Sequence, residues 1–129
     1  MRLLLDTHAF LWLVSADRRL PVPARRAILD PGNDRCLSMA SVWEIAIKAS
    51  RGKLRLDVPL HDLIDSEATA NGISLLALEK RHAIAVATLP SHHRDPFDRL
   101  LVCQALAEEL TLVSADRAFD AYGLRRLWN

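Results

Sequence analysis

The chain alternates short apolar runs with segments of helical pattern, and this alternation constrains its fold more than any other feature. Residues 2–5, Arg-Leu-Leu-Leu, form an apolar run that is typical of a strand buried on both faces of a parallel sheet. Other short strands are predicted at residues 36–38, 73–76, 111–114 and 124–128. Because helical segments separate these strands, the sequence predicts an α/β fold whose parallel sheet is covered on both faces.

Local signals predict where several of the helices begin. Thr7 is available to cap a helix over residues 8–14, which is apolar almost all round. Ser41 and Glu44 fit the Ser-x-x-Glu pattern of a capping box, which predicts that a helix begins at Ser41 and ends near residue 50. Further helices are expected at residues 21–29, 60–70 and 79–88.

The most clearly marked helix follows Asp95. Asp95 is a good N-cap, and Pro96 suits the first helical position because its missing N–H has no partner there. Asp98 then falls in the first turn, where the helix dipole favours a negative charge. The strand at residues 111–114 comes next, so Asp116 lies just beyond the carboxyl end of that strand.

Length and composition are those of one domain over residues 1–129. Half of the residues are hydrophobic and 26% are charged, and the chain is long enough for one core but too short for two. The formal charge of +1 neither suggests nor excludes nucleic acid. Cys36 and Cys103 fit no metal or redox spacing and are expected to be buried, reduced thiols. The histidines do not repeat at ligand spacing, so a zinc site is not expected.

The N-terminus resembles a signal peptide, because an apolar run follows the first two residues and small residues follow at 14–16. Asp6, however, breaks this run in half, and a signal peptide does not tolerate an unpaired carboxylate there. No run approaches the roughly 20 apolar residues that a membrane span needs. We therefore expect a cytoplasmic protein without a membrane segment.

Four acidic residues from separate segments are expected to meet at one edge of the predicted sheet. Asp6 and Asp116 follow the carboxyl ends of two strands, and Glu44 and Asp98 are expected in the first turns of two helices at the same edge. Carboxylates that lie together raise one another's pKa, and a hard cation such as Mg²⁺ or Mn²⁺ relieves that repulsion. The lack of a thiolate or imidazole cluster disfavours soft metals.

Each acid also has a purely structural explanation. Asp6 can cap the helix that follows the first strand, and Asp95 is sufficiently explained as an N-cap. Glu44 can complete its capping box or pair with Lys48 one turn further on. The set of four acids is therefore the signal, and no single member is specific.

The four acids lie in four motifs, which are Leu3-Leu4-Leu5-Asp6-Thr7-His8, Ser38-x-x-Ser41-Val42-Trp43-Glu44-Ile45, Asp95-Pro96-Phe97-Asp98-Arg99-Leu100-Leu101 and Leu112-Val113-Ser114-Ala115-Asp116. In this order along the chain, the motifs resemble those of the PIN domain, and in particular of the VapC-type toxins of bacterial toxin–antitoxin pairs. Each motif alone is weak, but the combination is specific and spans the whole chain. The resemblance implies a single PIN domain over residues 1–129, a three-layer α/β/α sandwich with a five-stranded parallel sheet.

The same resemblance implies a metal-dependent endoribonuclease that hydrolyses RNA phosphodiesters with Mg²⁺ or Mn²⁺. It further implies a toxin that is inhibited by a cognate antitoxin and that forms a homodimer. The family's catalytic and metal-binding quartet carries over to Asp6, Glu44, Asp98 and Asp116, of which Asp116 is the position most often peripheral. Residues expected to support the site or bind substrate are Thr7, Asp95, Arg99 and Ser114.

Alternative functions make different demands on the sequence. A phosphotransfer receiver domain needs an acidic pair after its first strand, and a haloacid-dehalogenase phosphatase needs an Asp at the position of His8. A catalytically silent RNA-binding or scaffold module on the same fold stays open. Candidate hydrophobic anchors for an antitoxin are Phe10, Trp12 and Trp43.

Overall fold

The computed structural model describes residues 1–129 and contains one five-stranded sheet. Its strands are β1 (Arg2–Leu5), β2 (Asp34–Ser38), β3 (Ser74–Leu76), β4 (Thr111–Val113) and β5 (Arg126–Leu127). All neighbouring strands are parallel, in the order β3-β2-β1-β4-β5. The predicted α/β fold with a five-stranded parallel sheet is thus confirmed. The strand order reverses between β1 and β4, and ligands collect at the carboxyl ends of strands beside such a switch point.

Seven α-helices accompany the sheet. They are α1 (Thr7–Val14), α2 (Val22–Leu29), α3 (Met39–Ser50), α4 (Leu60–Asp62), α5 (Ala68–Ala70), α6 (Lys80–Ala85) and α7 (Pro96–Glu108). A π-helical turn joins α4 to α5 at Leu63–Glu67, and 3₁₀ turns lie at Val86–Thr88 and Arg117–Tyr122. None of these helices has the length and apolar character that crossing a membrane requires.

The alternating side chains of β1 divide the core into two parts. Leu3 and Leu5 belong to a cluster that includes residues of α1, α2 and α3, whereas Leu4 belongs to a second cluster with α7 and Phe119. All three leucines are fully buried, as the apolar run at residues 2–5 predicts. Burial of each such side chain stabilises the fold by about 2 kcal/mol. The strand that carries Asp6 at its end is therefore held from both faces.

The cap of α1 differs from the prediction. The carboxylate of Asp6 accepts the N–H of Ala9 at 2.7 Å, so Asp6 is the N-cap and Thr7 is already the first helical residue. The prediction that Thr7 caps α1 is wrong, because Asp6, which ends the strand, is also a good capping residue and lies one position earlier. The hydroxyl of Thr7 is thereby free to contact another part of the chain.

The start of α3 also differs from the prediction. Ser38 is the N-cap, with its hydroxyl accepting the N–H of Ala40 at 3.0 Å, and the helix begins at Met39. The predicted capping box of Ser41 and Glu44 is wrong, and Glu44 lies in the second turn instead of the first. Two serines three residues apart offer the same capping chemistry, and the local sequence does not decide between them.

The two cysteines are free thiols, but only Cys103 is buried. Cys36 is partly exposed, so the expectation of two buried thiols is wrong for this residue. Burial of its sulfur nevertheless raises the pKa of Cys36 to about 11. The thiol is consequently protonated at neutral pH and a poor nucleophile.

Candidate active site

Asp6 and Ser114 lie at the carboxyl ends of the two neighbouring strands β1 and β4. The N–H of Asp6 donates to the carbonyl of Val113 at 3.0 Å, so the pairing of the strands continues one residue beyond β1. Ser114 directly follows β4 and is fully buried. The N–H of Ala9 donates to the Asp6 carboxylate at 2.7 Å, and the Ser114 side chain acts to lower the pKa of that carboxyl. The first predicted acid is therefore fixed at the switch point of the sheet.

Glu44 projects from α3 and is only 6% exposed. One carboxylate oxygen accepts a hydrogen bond from the Thr7 hydroxyl at 2.7 Å, and the other accepts one from the Lys48 ammonium. The predicted pairing with Lys48 is confirmed, but it accounts for one oxygen only. Since Thr7 is the neighbour of Asp6, its hydroxyl connects Glu44 to the first acid and holds the Glu44 carboxylate in one orientation.

Asp98 lies in the first turn of α7, as predicted, and Asp95 caps that helix. The Asp95 carboxylate accepts the N–H groups of Phe97 at 2.8 Å and of Asp98 at 3.3 Å. No hydrogen bond to the Asp98 carboxylate lowers its pKa. Burial and the charges of neighbouring residues determine that pKa instead. A ligand can thus approach Asp98 without first breaking a hydrogen bond within the protein.

Asp116 follows β4 and is the most exposed of the four acids. One oxygen accepts the N–H of Ala118 at 2.9 Å, and the other lies 2.8 Å from Nε2 of His93. The backbone N–H of Asp116 donates to the Ser114 hydroxyl at 3.1 Å. Burial raises the pKa of Asp116, but the hydrogen bonds from His93 and Ala118 outweigh it, and the net shift is downward. Asp116 is therefore ionised, and each of its carboxylate oxygens already has a hydrogen-bond partner.

The four predicted acids are close enough to repel one another. Burial raises the pKa of Asp6, and the charge of Glu44 contributes to the increase. Burial also raises the pKa of Asp98 to about 6, and the charges of Asp95, Glu44 and Asp116 add to this effect. Because each acid interacts with at least one other, we call Asp6, Glu44, Asp98 and Asp116 the acid crevice. It has more negative charge than the surrounding residues neutralise.

The donor chemistry of the acid crevice fits a hard divalent cation. Its carboxylate oxygens are the ligands that Mg²⁺ and Mn²⁺ prefer. The nearest compensating cation is Lys48, whose pKa is raised by its hydrogen bond with Glu44 and by the charges of Asp95 and Asp98. No three crevice acids bring ligand atoms within 4.8 Å of one another. This spacing suits a cation that keeps some of its water, as Mg²⁺ usually does.

A tighter group of ligand atoms lies elsewhere, where Glu79, His82 and Glu108 have ligand atoms within 4.8 Å of one another. Arg81 already bridges the two glutamates. Nδ1 of the buried His82 accepts the N–H of Glu79 at 3.1 Å, so the ring proton is on Nε2, the atom that faces the glutamates. A metal ion needs a lone pair on Nε2. We call Glu79, Arg81, His82 and Glu108 the arginine-bridged cluster. The hydrogen bonds within this cluster argue against a metal site.

The sequence predicts that Arg99 supports the site or binds substrate, and its guanidinium makes no hydrogen bond to the four acids. Its guanidinium donates to four backbone carbonyls, at distances from 3.1 to 3.4 Å. The acceptors are the carbonyls of Val86, Leu89, Pro90 and His93. Arg99 therefore fixes the loop between α6 and α7 beside the acid crevice.

His93 is the main residue of the site that the sequence did not predict. His93 lies in the loop between α6 and α7, and its side chain lies against Asp116, 23 residues further along the chain. No local pattern marks a contact at that separation. The adjacent His92 offers the same side chain in the same loop, so composition alone does not distinguish the two.

Comparisons with known proteins agree with this geometry. The family model of the PIN domain matches residues 3–124. Among curated proteins, none matches the chain.

Solved structures with the same fold are full-length matches at low identity. VapBC2 from Rickettsia felis, bound to a DNA fragment from its promoter, aligns with a TM-score of 0.73 and 16% identity, covering 100% of both chains. DNA-bound VapBC from Salmonella typhimurium has a TM-score of 0.70 at 19% identity, covering 98% of this chain and 97% of that one. FitAcB from Neisseria gonorrhoeae has a TM-score of 0.63 at 21% identity, covering 98% and 96%. The family match over nearly the whole chain, together with this fold, shows that the chain belongs to the PIN-domain family.

Proposed function

We propose that the chain is a metal-dependent endoribonuclease that acts as the toxin of a toxin–antitoxin pair. The observation that carries this proposal is the acid crevice, in which burial and mutual repulsion raise the pKa values of Asp6 and Asp98. It lies at the carboxyl ends of β1 and β4, where α/β proteins bind ligands. The PIN family match supports nuclease chemistry at this place.

Asp6, Glu44 and Asp98 would hold Mg²⁺ or Mn²⁺, directly or through water, and Asp116 would complete the charge of the site. The cation supplies Lewis-acid chemistry, since it lowers the pKa of water and neutralises the charge that develops at phosphorus. The protein's own part is to keep the carboxylates in place. Thr7 fixes Glu44, and the Ser114 hydroxyl accepts the backbone N–H of Asp116.

RNA is the substrate that we propose for this site. The crevice itself repels phosphate, so an RNA strand approaches only when a cation compensates the acids. Arg94 and Arg117 are exposed and adjoin the acids in sequence, and we assign them to phosphates that flank the cleaved bond. A single strand or a loop fits best, because its backbone can bend into a site at the edge of a sheet.

A protein antitoxin is the proposed partner, because the similar solved structures include VapBC and FitAB assemblies. Phe10 is fully buried, so its assignment as a surface anchor is wrong. Trp43 is 58% exposed. Trp12 lines a groove of about 520 Å³ that Thr7 and Lys48 also line. These two tryptophans remain the proposed anchors, and a homodimer is proposed from the family resemblance.

The proposed function is tested by RNA cleavage with purified protein, in Mg²⁺ and in EDTA. We expect cleavage in Mg²⁺ only, and a loss of about 100-fold or more in Asp6→Asn and Asp98→Asn. The matched control is Asp65→Asn, which removes an exposed acid distant from the crevice in sequence and paired with His61. Cleavage that survives EDTA or persists in Asp98→Asn contradicts the proposal. RNA binding without cleavage would instead indicate the silent RNA-binding module.

Coexpression of this chain with the product of the neighbouring reading frame tests whether the chain is the toxin of a toxin–antitoxin pair. A small protein encoded next to this chain should copurify with it and suppress cleavage. Trp43→Ala should weaken that complex without reducing cleavage by the free enzyme. Failure of any neighbouring product to bind or inhibit the chain contradicts its role as a toxin.

A further inference from the structure

The His93 side chain lies in a closely packed position beside the acid crevice. Its ring stacks on Phe119 with a centroid distance of 4.4 Å and on Tyr122 at 5.6 Å, and the side chain is 7% exposed. Phe119 is itself part of the core. The ring plane of His93 is thereby set by two aromatic neighbours, and its edge points at Asp116.

Both ring nitrogens of His93 have a partner. Nε2 lies 2.8 Å from the Asp116 carboxylate, and Nδ1 lies 3.0 Å from the Tyr122 hydroxyl. An ionised carboxylate only accepts hydrogen bonds, so Nε2 carries a proton and donates it to Asp116. The Tyr122 hydroxyl can then donate to Nδ1. Tyr122, His93 and Asp116 are thus linked by two hydrogen bonds, the second of which ends on a crevice acid.

The backbone of His93 is fixed as well. Arg99 donates to the His93 carbonyl at 3.4 Å and to three other carbonyls of the same loop. Arg99 is one residue from Asp98, so the loop that presents His93 is tied to the helix that presents Asp98. The position of Asp116 relative to Asp98 consequently depends on this loop.

We propose that His93 is the positioning residue for Asp116, and that the hydrogen bonds linking Tyr122, His93 and Asp116 set how strongly the acid crevice holds a divalent cation. This inference rests on the proposed function. Residues that hydrogen-bond to a metal-binding carboxylate fix its orientation, and their loss typically weakens metal affinity by about 10- to 100-fold. His93 acts through Asp116, and it is not itself assigned as a ligand.

The test is titration of the full-length protein with Mn²⁺, followed by calorimetry, with the melting temperature of each variant measured in parallel. His93→Ala should weaken Mn²⁺ binding by about 10-fold or more, and His93→Gln, which keeps an N–H donor, should recover part of the loss. His61→Ala is the control, because His61 is exposed and pairs with Asp65, which is not a crevice acid, and the Mn²⁺ affinity of this variant should equal that of wild type.

A double substitution separates positioning from general destabilisation. If His93 acts through Asp116, then His93→Ala combined with Asp116→Asn should bind Mn²⁺ no more weakly than Asp116→Asn alone. Additive losses, or wild-type affinity in both His93 variants, overturn the inference. Tyr122→Phe removes only the hydroxyl, and a weaker affinity is expected there even if His93→Ala does not fold.

NMR of the imidazole nitrogens provides a second readout at fixed pH. Nε2 of His93 should carry a proton, and the signals of the ring should shift on addition of Mg²⁺, whereas those of the exposed His61 should not. An Nε2 without a proton, or insensitivity to Mg²⁺, overturns the inference. If wild type binds no Mn²⁺ and cleaves no RNA, the proposed function fails together with this inference. If wild type does both and the His93 variants bind equally well, only this inference fails.

Discussion

Two clusters of acidic side chains in this protein differ in how their charge is balanced. In the arginine-bridged cluster, the hydrogen bond from Arg81 lowers the pKa of Glu108. In the acid crevice, burial and neighbouring acids raise the pKa values of Asp6 and Asp98. The first cluster brings its ligand atoms closer together, yet it already contains its own cation and a protonated Nε2. Unbalanced charge, and not the closeness of the acids, therefore identifies the candidate active site.

The largest expected difference between the two clusters is in catalysis. Asp98→Asn should reduce RNA cleavage by about 100-fold or more, because Asp98 presents a carboxylate to the proposed cation. Glu108→Gln should leave cleavage unchanged. Steady-state cleavage of one labelled RNA by both variants checks this, and a comparable loss in Glu108→Gln would remove the distinction between the clusters.

The second difference is in stabilisation by metal. Mn²⁺ at 100 times its Kd should stabilise the wild-type fold by about 2.7 kcal/mol, because the cation binds the folded chain only. This increase should vanish in Asp6→Asn combined with Asp98→Asn and should persist in Glu79→Gln combined with Glu108→Gln. Thermal unfolding with and without Mn²⁺ measures it. An increase that depends on the glutamates instead would place the cation in the arginine-bridged cluster.

The third difference is in the pH dependence of the metal-free protein. The pKa of Asp98 is about 6 in the folded chain and near 3.8 in the unfolded one, so the folded state binds more protons between these values. The Asp98 contribution to stability is therefore greatest below pH 4 and is lost as pH rises through about 6. The full shift corresponds to about 3 kcal/mol, and the partial exposure of the side chain to solvent reduces the expected loss to about 2 kcal/mol. Asp98→Asn should remove this dependence in denaturant unfolding at pH 4, 5, 6 and 7. An unchanged profile in the variant contradicts the raised pKa.

The smallest effect is expected from the arginine of the bridged cluster. Arg81→Gln should lower the melting temperature slightly, because the Arg81 side chain is half exposed and its ion pairs with Glu79 and Glu108 are screened by water. Mn²⁺ affinity and cleavage should stay at wild-type values. If this variant instead gained a Mn²⁺ site, then Arg81 alone would be what keeps a metal out of the cluster.

The sequence predicts those parts of the molecule that depend on local patterns. The run at Leu3–Leu5 specifies a buried strand, and Asp95 with Pro96 specifies the start of α7, which in turn places Asp98. The order of strands and helices then brings Asp6 and Asp116 to the same edge of the sheet. Asp6, Asp98 and Asp116 could be named in this way, because each lies at the end of a strand or at the start of a helix. Glu44 was named from a predicted helix start that the structure does not have, and it lies in the second turn of α3.

Contacts between distant segments could not be predicted in the same way. Thr7 hydrogen-bonds to Glu44 across 37 residues, and His93 to Asp116 across 23 residues. Nothing in the sequence around these residues records the pairing, which follows from the tertiary fold. The caps of α1 and α3 were wrong by one and three positions because adjacent segments offered equivalent capping side chains. These caps and long-range hydrogen bonds decide which carboxylates are free and which are already hydrogen-bonded.

Anomalous diffraction from crystals grown with Mn²⁺ tests the central claim most directly, because it shows where the cation binds. The charge imbalance predicts a peak in the acid crevice, within coordination distance of Asp98 or of a water molecule that Asp98 holds. It also predicts no peak between Glu79, His82 and Glu108. A peak at the arginine-bridged cluster with none in the crevice would contradict the account.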